Sequence, residues 1–238
     1  MSAGKLQGKG LLTPLQRRFL LLFARLPDQD RFYLTGGTAL AEFYLGHRLS
    51  FDLDLFTHEE SLIVPTSYLI EKNATESQID ITVARRFASF VELLIREGDD
   101  SIKVELALDS PFRFAPPAPS EDGFLVNDYQ DLLVDKLLAY YGRAEPRDAI
   151  DLYFILQKEP LVTLLDKAKQ KDPGFDLYWF AVALERCLTL PDDGNRWPVS
   201  MLVPFDAVEI KRQFKELAIE IMDQAVGKKN NRPGLPSH

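Results

Sequence analysis

The sequence predicts an α+β protein in which a mixed sheet comes first and a bundle of helices follows. Residues 32–108 contain short segments whose apolar side chains alternate, and this period of two is expected of strands. From Asn127 onward, apolar residues recur three and four positions apart, which is typical of amphipathic helices. The proline-rich run 111–119 separates the two patterns and is typical of a connector.

The same patterns divide the chain into parts. We expect a leader with one helix over residues 1–27, a sheet domain over 28–115, a helical domain over 120–226 and a disordered tail over 227–238. Hydrophobic residues make up 46% of the 238 residues, which is enough for a sizeable core. The tail has almost nothing to bury, so we assign it no function.

The composition excludes several classes of protein. The net charge of -8 argues against a surface that wraps nucleic acid non-specifically, because such a surface needs clustered Lys and Arg; a local basic groove stays open. Cys187 is the only cysteine, which excludes an internal disulfide and a thiolate-rich zinc site, and we interpret it as a buried hydrophobe. The first ten residues lack the apolar segment of a signal peptide, and no apolar run approaches the roughly 20 residues of a membrane helix. We therefore expect a cytoplasmic protein with no membrane partner.

The first elements are a helix, a strand, a glycine turn and a second helix. Thr13 is a suitable N-cap for the first helix, because Pro follows it and apolar residues then recur at helical spacing. Residues 32–34 are a short apolar run that ends at Gly36 and Gly37. A helix over 38–44 follows this turn.

The segment 50–56 is predicted to be a strand with one face in the core. Phe51, Leu53 and Leu55 alternate there with polar residues, among them Asp52 and Asp54. Because side chains two apart in a strand point the same way, both carboxylates leave one side of the sheet.

The remaining elements follow from hydrophobic periodicity. We predict a helix over 65–76 and three antiparallel strands over 78–83, 89–95 and 101–108. The predicted helices of the second half cover 128–141, 146–157, 161–169, 175–188 and 205–226.

The glycine turn and the two aspartates together favour phosphoryl-type transfer. Carboxylate oxygens are the ligands that Mg²⁺ and Mn²⁺ prefer, so Asp52 and Asp54 are candidate metal ligands. Without Cβ atoms, Gly36 and Gly37 let backbone N–H groups approach a triphosphate at a helix N-terminus. A tight turn and a solvated polar strand face are the structural alternatives.

Three polar side chains near this turn are candidate phosphate ligands. Thr38 and Ser50 offer hydroxyl groups, and Arg48 offers a guanidinium for two parallel hydrogen bonds. Arg48 is equally suited to an ion pair with one of the two aspartates.

A third carboxylate is expected beside the first two. Glu105 lies on the polar face of its predicted strand and is the first choice, while Asp80 is the rival. A solvent-facing position on an antiparallel sheet is the alternative for both.

The helical half adds candidate charged residues. Lys136 is suited to stabilising charge on a leaving pyrophosphate, and Asp148 and Asp151 share one helix face. An interhelical salt-bridge network with Arg147 is the structural alternative. The spacing of the two histidines beside the aspartate strand fits no zinc signature.

Several of these segments resemble the AbiEii/AbiGii-type nucleotidyltransferase toxins of the polymerase-beta-like nucleotidyltransferase superfamily. The matching segments are FYLTGGTAL (32–40), HRLSFDLDLF (47–56), KVE (103–105), DLLVDK (131–136) and RDAIDL (147–152). The resemblance covers roughly residues 32–156.

The resemblance implies a Mg²⁺-dependent enzyme that moves a nucleoside monophosphate from an NTP to an acceptor. It assigns Gly36, Gly37 and Thr38 to the nucleotide phosphates and Asp52 and Asp54 to the metal. It also places Lys136 and Asp148 in the active site, Lys136 on the nucleotide and Asp148 as acid or base.

The family commonly supplies the toxin of a toxin–antitoxin pair, so a cognate antitoxin is an expected partner. The expected acceptor is RNA, tRNA in particular, or protein. Two alternatives stay open: a small-molecule nucleotidyltransferase of the antibiotic-modifying sort, and a module that binds nucleotide or a partner without turnover.

Overall fold

A computed structural model describes residues 4–77 and 79–230 and confirms the α+β class. The strands are β1 (Phe32–Thr35), β2 (Leu53–Thr57), β3 (Asp80–Phe87), β4 (Phe90–Glu97), β5 (Asp100–Leu108), β6 (Ala118–Pro119) and β7 (Leu125–Val126). The helices are α1 (Pro14–Phe23), α2 (Gly36–Ala39), α3 (Glu60–Glu76), α4 (Tyr129–Arg143), α5 (Pro146–Leu156), α6 (Leu161–Lys171), α7 (Leu177–Arg186) and α8 (Ala207–Asn230). A π-helical segment, Leu40–Leu45, continues α2 and ends at Gly46.

The chain divides into two compact units. The first runs to Leu132 and also takes in Ser200–Val203, and the second comprises Leu133–Val199 and the chain from Pro204 onward. The division falls within α4, whereas the sequence placed it in the proline-rich connector. The predicted domain boundaries stay a prediction.

The first unit is built on one mixed sheet with the strand order β3-β4-β5-β2-β1-β7-β6 among the described residues. The β2–β5 and β1–β7 pairs are parallel, and the other neighbours are antiparallel. The mixed sheet is therefore as expected, and β2 lies at its centre.

One face of this sheet carries the core of the first unit. Leu53 and Leu55 of β2 are fully buried, together with Val104 and Leu106 of β5. Helices α1 and α3 contact these strands and contribute buried side chains, including Phe19, Leu20, Ile63 and Ile70. Burial of these apolar groups is the main stabilising force for the unit, and it leaves the polar residues of β2 and β5 on the opposite face.

A segment far along the chain completes the first unit. Arg48 forms an antiparallel β-bridge with Met201. The Leu49 N–H donates to the Ser200 carbonyl at 2.8 Å, and the Leu202 N–H donates to the His47 carbonyl at 2.9 Å. The sequence alone gave no sign of this pairing.

The second unit consists of the rest of α4 and of α5–α8. Tyr140 and Phe214 meet edge to face at 5.4 Å, and both are fully buried. Cys187 is also fully buried, as expected, although it lies in a short 3₁₀ turn after α7. Burial raises its thiol pKa to about 12, and Lys211 and Tyr140 lower it by less.

Several predicted boundaries are wrong. Helix α3 begins at Glu60, so Pro65 lies inside it and not at its first position. Strand β2 begins at Leu53, so Asp52 comes just before the strand. Helix α8 continues to Asn230, beyond the predicted end of this helix at residue 226, and residues 231–238 lie outside the described part of the chain.

Within the part of the chain that the structure describes, no helix has both the length and the apolar character needed to cross a membrane.

Candidate active site

Gly36 brings the glycine turn directly against Asp54. Its φ of +70° lies in the left-handed region, which a residue with a Cβ rarely adopts. A Cβ atom at Gly36 would overlap the Asp54 Oδ2 atom. Only glycine therefore fits between β1 and this carboxylate.

Gly37 is packed against two of the predicted phosphate ligands. A Cβ at this position would lie 2.6 Å from Arg48 Nη2 and 2.8 Å from Ser50 Oγ. The Arg48 side chain is buried, and its Nη1 donates to the Leu49 carbonyl at 3.0 Å. The fold thus brings Gly37, Arg48 and Ser50 together.

The Thr38 side chain holds the backbone that precedes β2. Its hydroxyl donates to the carbonyl of Asp52 and, at 3.4 Å, lies near the carbonyl of Ser50. Gln16, which caps α1 together with Thr13, donates from Nε2 to the same Ser50 carbonyl at 2.9 Å. These bonds fix the position of Asp52, and the sequence did not suggest a role for Gln16.

A row of acidic residues crosses the sheet on the face opposite the core. Asp54 of β2 is paired with Glu105 of β5, and Glu105 is paired in turn with Glu92 of β4. Residues paired across strands point to the same face, so the three carboxylates are neighbours. Asp80, the rival third carboxylate, lies on the edge strand β3, two strands beyond β5.

Lys103 contacts two of the predicted metal ligands. Its Nζ lies 2.7 Å from Glu105 Oε1 and 3.4 Å from Asp52 Oδ2. Partial burial alone would lower the pKa of this ammonium, but hydrogen bonds and charges from Glu105 and Asp52 raise it above its ordinary value. The sequence did not suggest a role for Lys103, although alternation places it on the same face of β5 as Glu105.

The donor set fits a hard divalent cation. Asp52 and Asp54 supply carboxylate oxygens beside a turn whose glycines keep side chains away from them. Among the described residues, no three His, Cys, Asp or Glu side chains come close enough together to hold a metal ion. On β5, the ammonium of Lys103 contacts Asp52.

A polar network behind the glycine turn was not predicted. Asn127 donates from Nδ2 to Thr35 Oγ1 at 2.9 Å, and it accepts from Arg113. The Arg113 guanidinium also lies 4.2 Å from the centre of the Tyr33 ring. Because Thr35 precedes Gly36, this network helps to fix where the turn begins.

The two histidines near β2 do not form a metal site in the described structure. His47 is buried, and its carbonyl takes part in the pairing with Leu202. The His58 ring lies 5.8 Å from the ring of Tyr33.

The candidates in the second unit form ion pairs. Lys136 of α4 lies 2.8 Å from Asp151 of α5, and Arg143 holds Asp148 through two hydrogen bonds of 2.6 and 2.8 Å. Both aspartates are fully buried. Interhelical ion pairs that include Arg147 were the structural alternative. In the structure, Arg143 is the partner of Asp148, and Asp151 is the partner of Lys136.

Comparison with known proteins supports a family assignment. The family model described as "Nucleotidyl transferase AbiEii toxin, Type IV TA system" matches residues 18–172. No curated protein matches the chain.

Three solved structures are similar in fold. The nucleotidyltransferase toxin MenT4 from Mycobacterium tuberculosis is 17% identical with a TM-score of 0.59, and the match covers 91% of this chain and 84% of that one. A putative nucleotidyltransferase from H. pylori is 18% identical with a TM-score of 0.58, covering 92% and 96% of the two chains. JHP933 from Helicobacter pylori is 18% identical with a TM-score of 0.54, covering 91% and 92%.

Proposed function

Because the chain belongs to the AbiEii nucleotidyl transferase toxin family of type IV toxin–antitoxin systems, we propose that Asp52 and Asp54 bind the divalent cation that its reaction uses. The protein is a nucleotidyltransferase toxin, as its sequence predicted. That assignment implies an NTP as substrate and a cognate antitoxin as partner. The cation is Mg²⁺ or Mn²⁺, since both prefer carboxylate oxygens.

The observation that carries this proposal is the contact between the glycine turn and Asp54. Gly36 has a left-handed φ, and any side chain there would overlap the Asp54 carboxylate. A backbone that approaches a carboxylate so closely suits a ligand that must touch both, such as a metal-bound triphosphate.

The residues around the turn then have separate roles. Gly37, Arg48 and Ser50 bind the nucleotide phosphates, because they lie together at the start of α2. Thr38 positions Asp52 through its bond to the backbone carbonyl.

Glu105 is the candidate for a third carboxylate, because it is paired with Asp54 in the sheet, but its Oε1 atom is held by Lys103. Lys136 and Asp148 are assigned by the family resemblance alone. Both are held in ion pairs within the second unit.

The reaction is an in-line displacement at the α-phosphorus. The acceptor hydroxyl loses its proton to solvent as its oxygen forms a bond to that phosphorus, the bond to the bridging oxygen of the β-phosphate breaks, and pyrophosphate leaves. A bound divalent cation neutralises charge on the phosphate oxygens. The acceptor is a hydroxyl group of RNA, tRNA included, or of protein.

The test is transfer of label from each of the four α-labelled NTPs, with Mg²⁺, to total RNA or to total protein. We expect label in one fraction with the wild-type protein and none with Asp54→Asn. The matched control is Asp80→Asn, which removes an exposed aspartate of β3 and should leave transfer unchanged. Equal transfer by Asp54→Asn would contradict the proposal.

The same assay separates the two alternatives. Release of pyrophosphate with label in neither macromolecular fraction would favour a small-molecule acceptor. NTP binding without release of pyrophosphate would favour a non-catalytic module.

A further inference from the structure

We propose that the Lys103 ammonium is a built-in counter-ion of the carboxylate site and competes with the divalent cation for Asp52 and Glu105. This inference rests on the proposed function, because it takes Asp52 as a metal ligand. Neither the family resemblance nor the reaction chemistry assigns a role to Lys103.

The geometry places Lys103 between two carboxylates of the site. Its Nζ lies 2.7 Å from Glu105 Oε1, a charge-assisted hydrogen bond, and 3.4 Å from Asp52 Oδ2. Lys103 and Glu105 are two apart on β5, so both side chains leave the same face of the sheet. The ammonium thus bridges groups that come from β5 and from the segment before β2.

The acidic row explains why a counter-ion is needed. Asp54, Glu105 and Glu92 are cross-strand neighbours, and like charges directly opposite each other destabilise a sheet. Arg85 neutralises the outer end of the row through a 2.5 Å contact with Glu92. Lys103 neutralises the inner end, where the metal is proposed to bind.

Metal binding would therefore affect the contacts of Arg85 and of Lys103 differently. The Arg85 contact with Glu92 can persist when a metal binds to Asp52 and Asp54. The Lys103 contacts with Asp52 and Glu105 use oxygens that the metal would need, so they must be weakened or broken for these residues to become ligands. The Lys103 side chain is 32% exposed, and its flexible stem allows the ammonium to move into solvent.

The competition has a measurable consequence for metal binding. Removing the ammonium exposes the full negative charge of Asp52 and Glu105 to an incoming cation. Solvent partly screens the interaction of this ammonium with the two carboxylates, so we expect its removal to tighten binding by up to about tenfold. Most of this effect should be lost at high ionic strength.

The test is a titration of the full-length protein with Mn²⁺ alone, in which free Mn²⁺ is followed by its paramagnetic resonance signal. Lys103→Met should bind Mn²⁺ up to about tenfold more tightly than the wild type, whereas Lys103→Arg, which keeps the charge, should stay close to the wild type. Arg85→Met is the matched control, because it removes one cation from the same sheet face without freeing Asp52. Its Mn²⁺ affinity should change much less.

Thermal unfolding gives a second readout that does not depend on activity. Without metal, Lys103→Met should unfold at a lower temperature than the wild type, because the acidic row has lost its counter-ion. Saturating Mn²⁺ should raise its unfolding temperature by more than that of the wild type. Circular dichroism of each variant checks that the fold is retained.

The possible failures are distinguishable. If the wild type binds Mn²⁺, Asp52→Asn does not, and Lys103→Met binds no more tightly than the wild type, the competition is disproved while the metal site stands. If neither the wild type nor Lys103→Met binds Mn²⁺, the metal site itself is disproved, and the competition falls with it.

Discussion

Asp54 on β2 and Glu105 on β5 lie directly opposite each other in a parallel strand pair, on the face of the sheet that does not carry the core. Parallel neighbours need a long connection, and here α3, β3 and β4 lie between the two strands in the chain. The sheet thus brings together acidic residues that the sequence separates widely.

Gly36→Ala tests the contact between the glycine turn and Asp54. The variant places a methyl group where the Asp54 carboxylate lies, at a φ of +70°. Displacing a ligand by about 1 Å can cost roughly 100-fold in rate, so we expect transfer to fall by at least about that factor. The loss is measured as kcat/KM for the labelled NTP.

The control for this variant is Gly98→Ala. Gly98 also has a left-handed φ, +60°, but a Cβ there would meet nothing within 4 Å. Both variants should lose about 1–2 kcal/mol of unfolding free energy from backbone strain. Gly36→Ala should lose more than Gly98→Ala, because its methyl group also overlaps Asp54, and only Gly36→Ala should lose activity. Equal activity in the two variants would show that the contact has no catalytic role.

Thr38→Val tests the hydroxyl that positions Asp52. Valine has the same shape but cannot donate to the Asp52 carbonyl, and that carbonyl loses a partner. We expect a loss of about 1 kcal/mol in stability and a fall in kcat with little change in KM for the NTP. Thr75→Val removes an exposed hydroxyl that bonds within α3 and serves as the control. A rise in KM alone would point instead to a phosphate contact by Thr38.

Lys136→Met tests whether Lys136 acts in catalysis or only in structure. The change removes the ammonium from Asp151, which is fully buried, and breaking a buried pair from one side costs roughly 3–5 kcal/mol. Low activity in this variant alone is therefore ambiguous. The double variant Lys136→Met/Asp151→Asn should recover most of the lost stability. If it folds but transfers no nucleotide, Lys136 takes part in catalysis; if activity returns with stability, the family-based assignment is wrong.

The thiol of Cys187 should be inert in the folded protein. Burial raises its pKa to about 12, whereas an unfolded thiol titrates near about 8.5. The folded state therefore favours the protonated thiol, and the resulting stability is full below pH about 8.5 and is lost as the pH rises towards 12. We expect no reaction with a thiol reagent at pH 8 and one reacting thiol per chain in denaturant. Rapid labelling of the native protein would contradict the burial of this residue.

The two faces of β2 could be predicted from alternation, because burial of Leu53 and Leu55 leaves Asp54 on the other side. The residue at which β2 begins could not be predicted. The carbonyls of Ser50 and Asp52 accept hydrogen bonds from the side chains of Gln16 and Thr38. Such bonds between distant parts of the chain leave no periodic signal.

Helix α3 shows the same limit for a helix boundary. Hydrophobic periodicity predicts that this helix starts at Pro65, and proline is common in the first turn of a helix. The helix instead begins at Glu60, and the fully buried side chains of Ile63 and Ile70 hold both sides of the proline in the core. Tertiary packing outweighed the local preference.

Pairing between remote segments was beyond prediction. Nothing in the sequence near Arg48 indicates a bridge to Met201, and nothing near Lys103 indicates contact with Asp52. The glycine turn and the paired aspartates were recognisable because each depends on spacing within a few residues. The contact between Lys103 and Asp52 requires β5 to lie next to β2. The order of strands in the sheet shows this, and the sequence does not.

Asp52 and Asp54 are proposed to hold one divalent cation together. The most direct measurement is kcat/KM for nucleotide transfer with Mg²⁺ in Asp52→Asn, Asp54→Asn and the double variant. Residues that act as a unit are not additive, so each single variant should lose nearly all activity and the double variant should be no worse than either. A single variant that keeps the wild-type rate, or losses that add in the double variant, would contradict the claim.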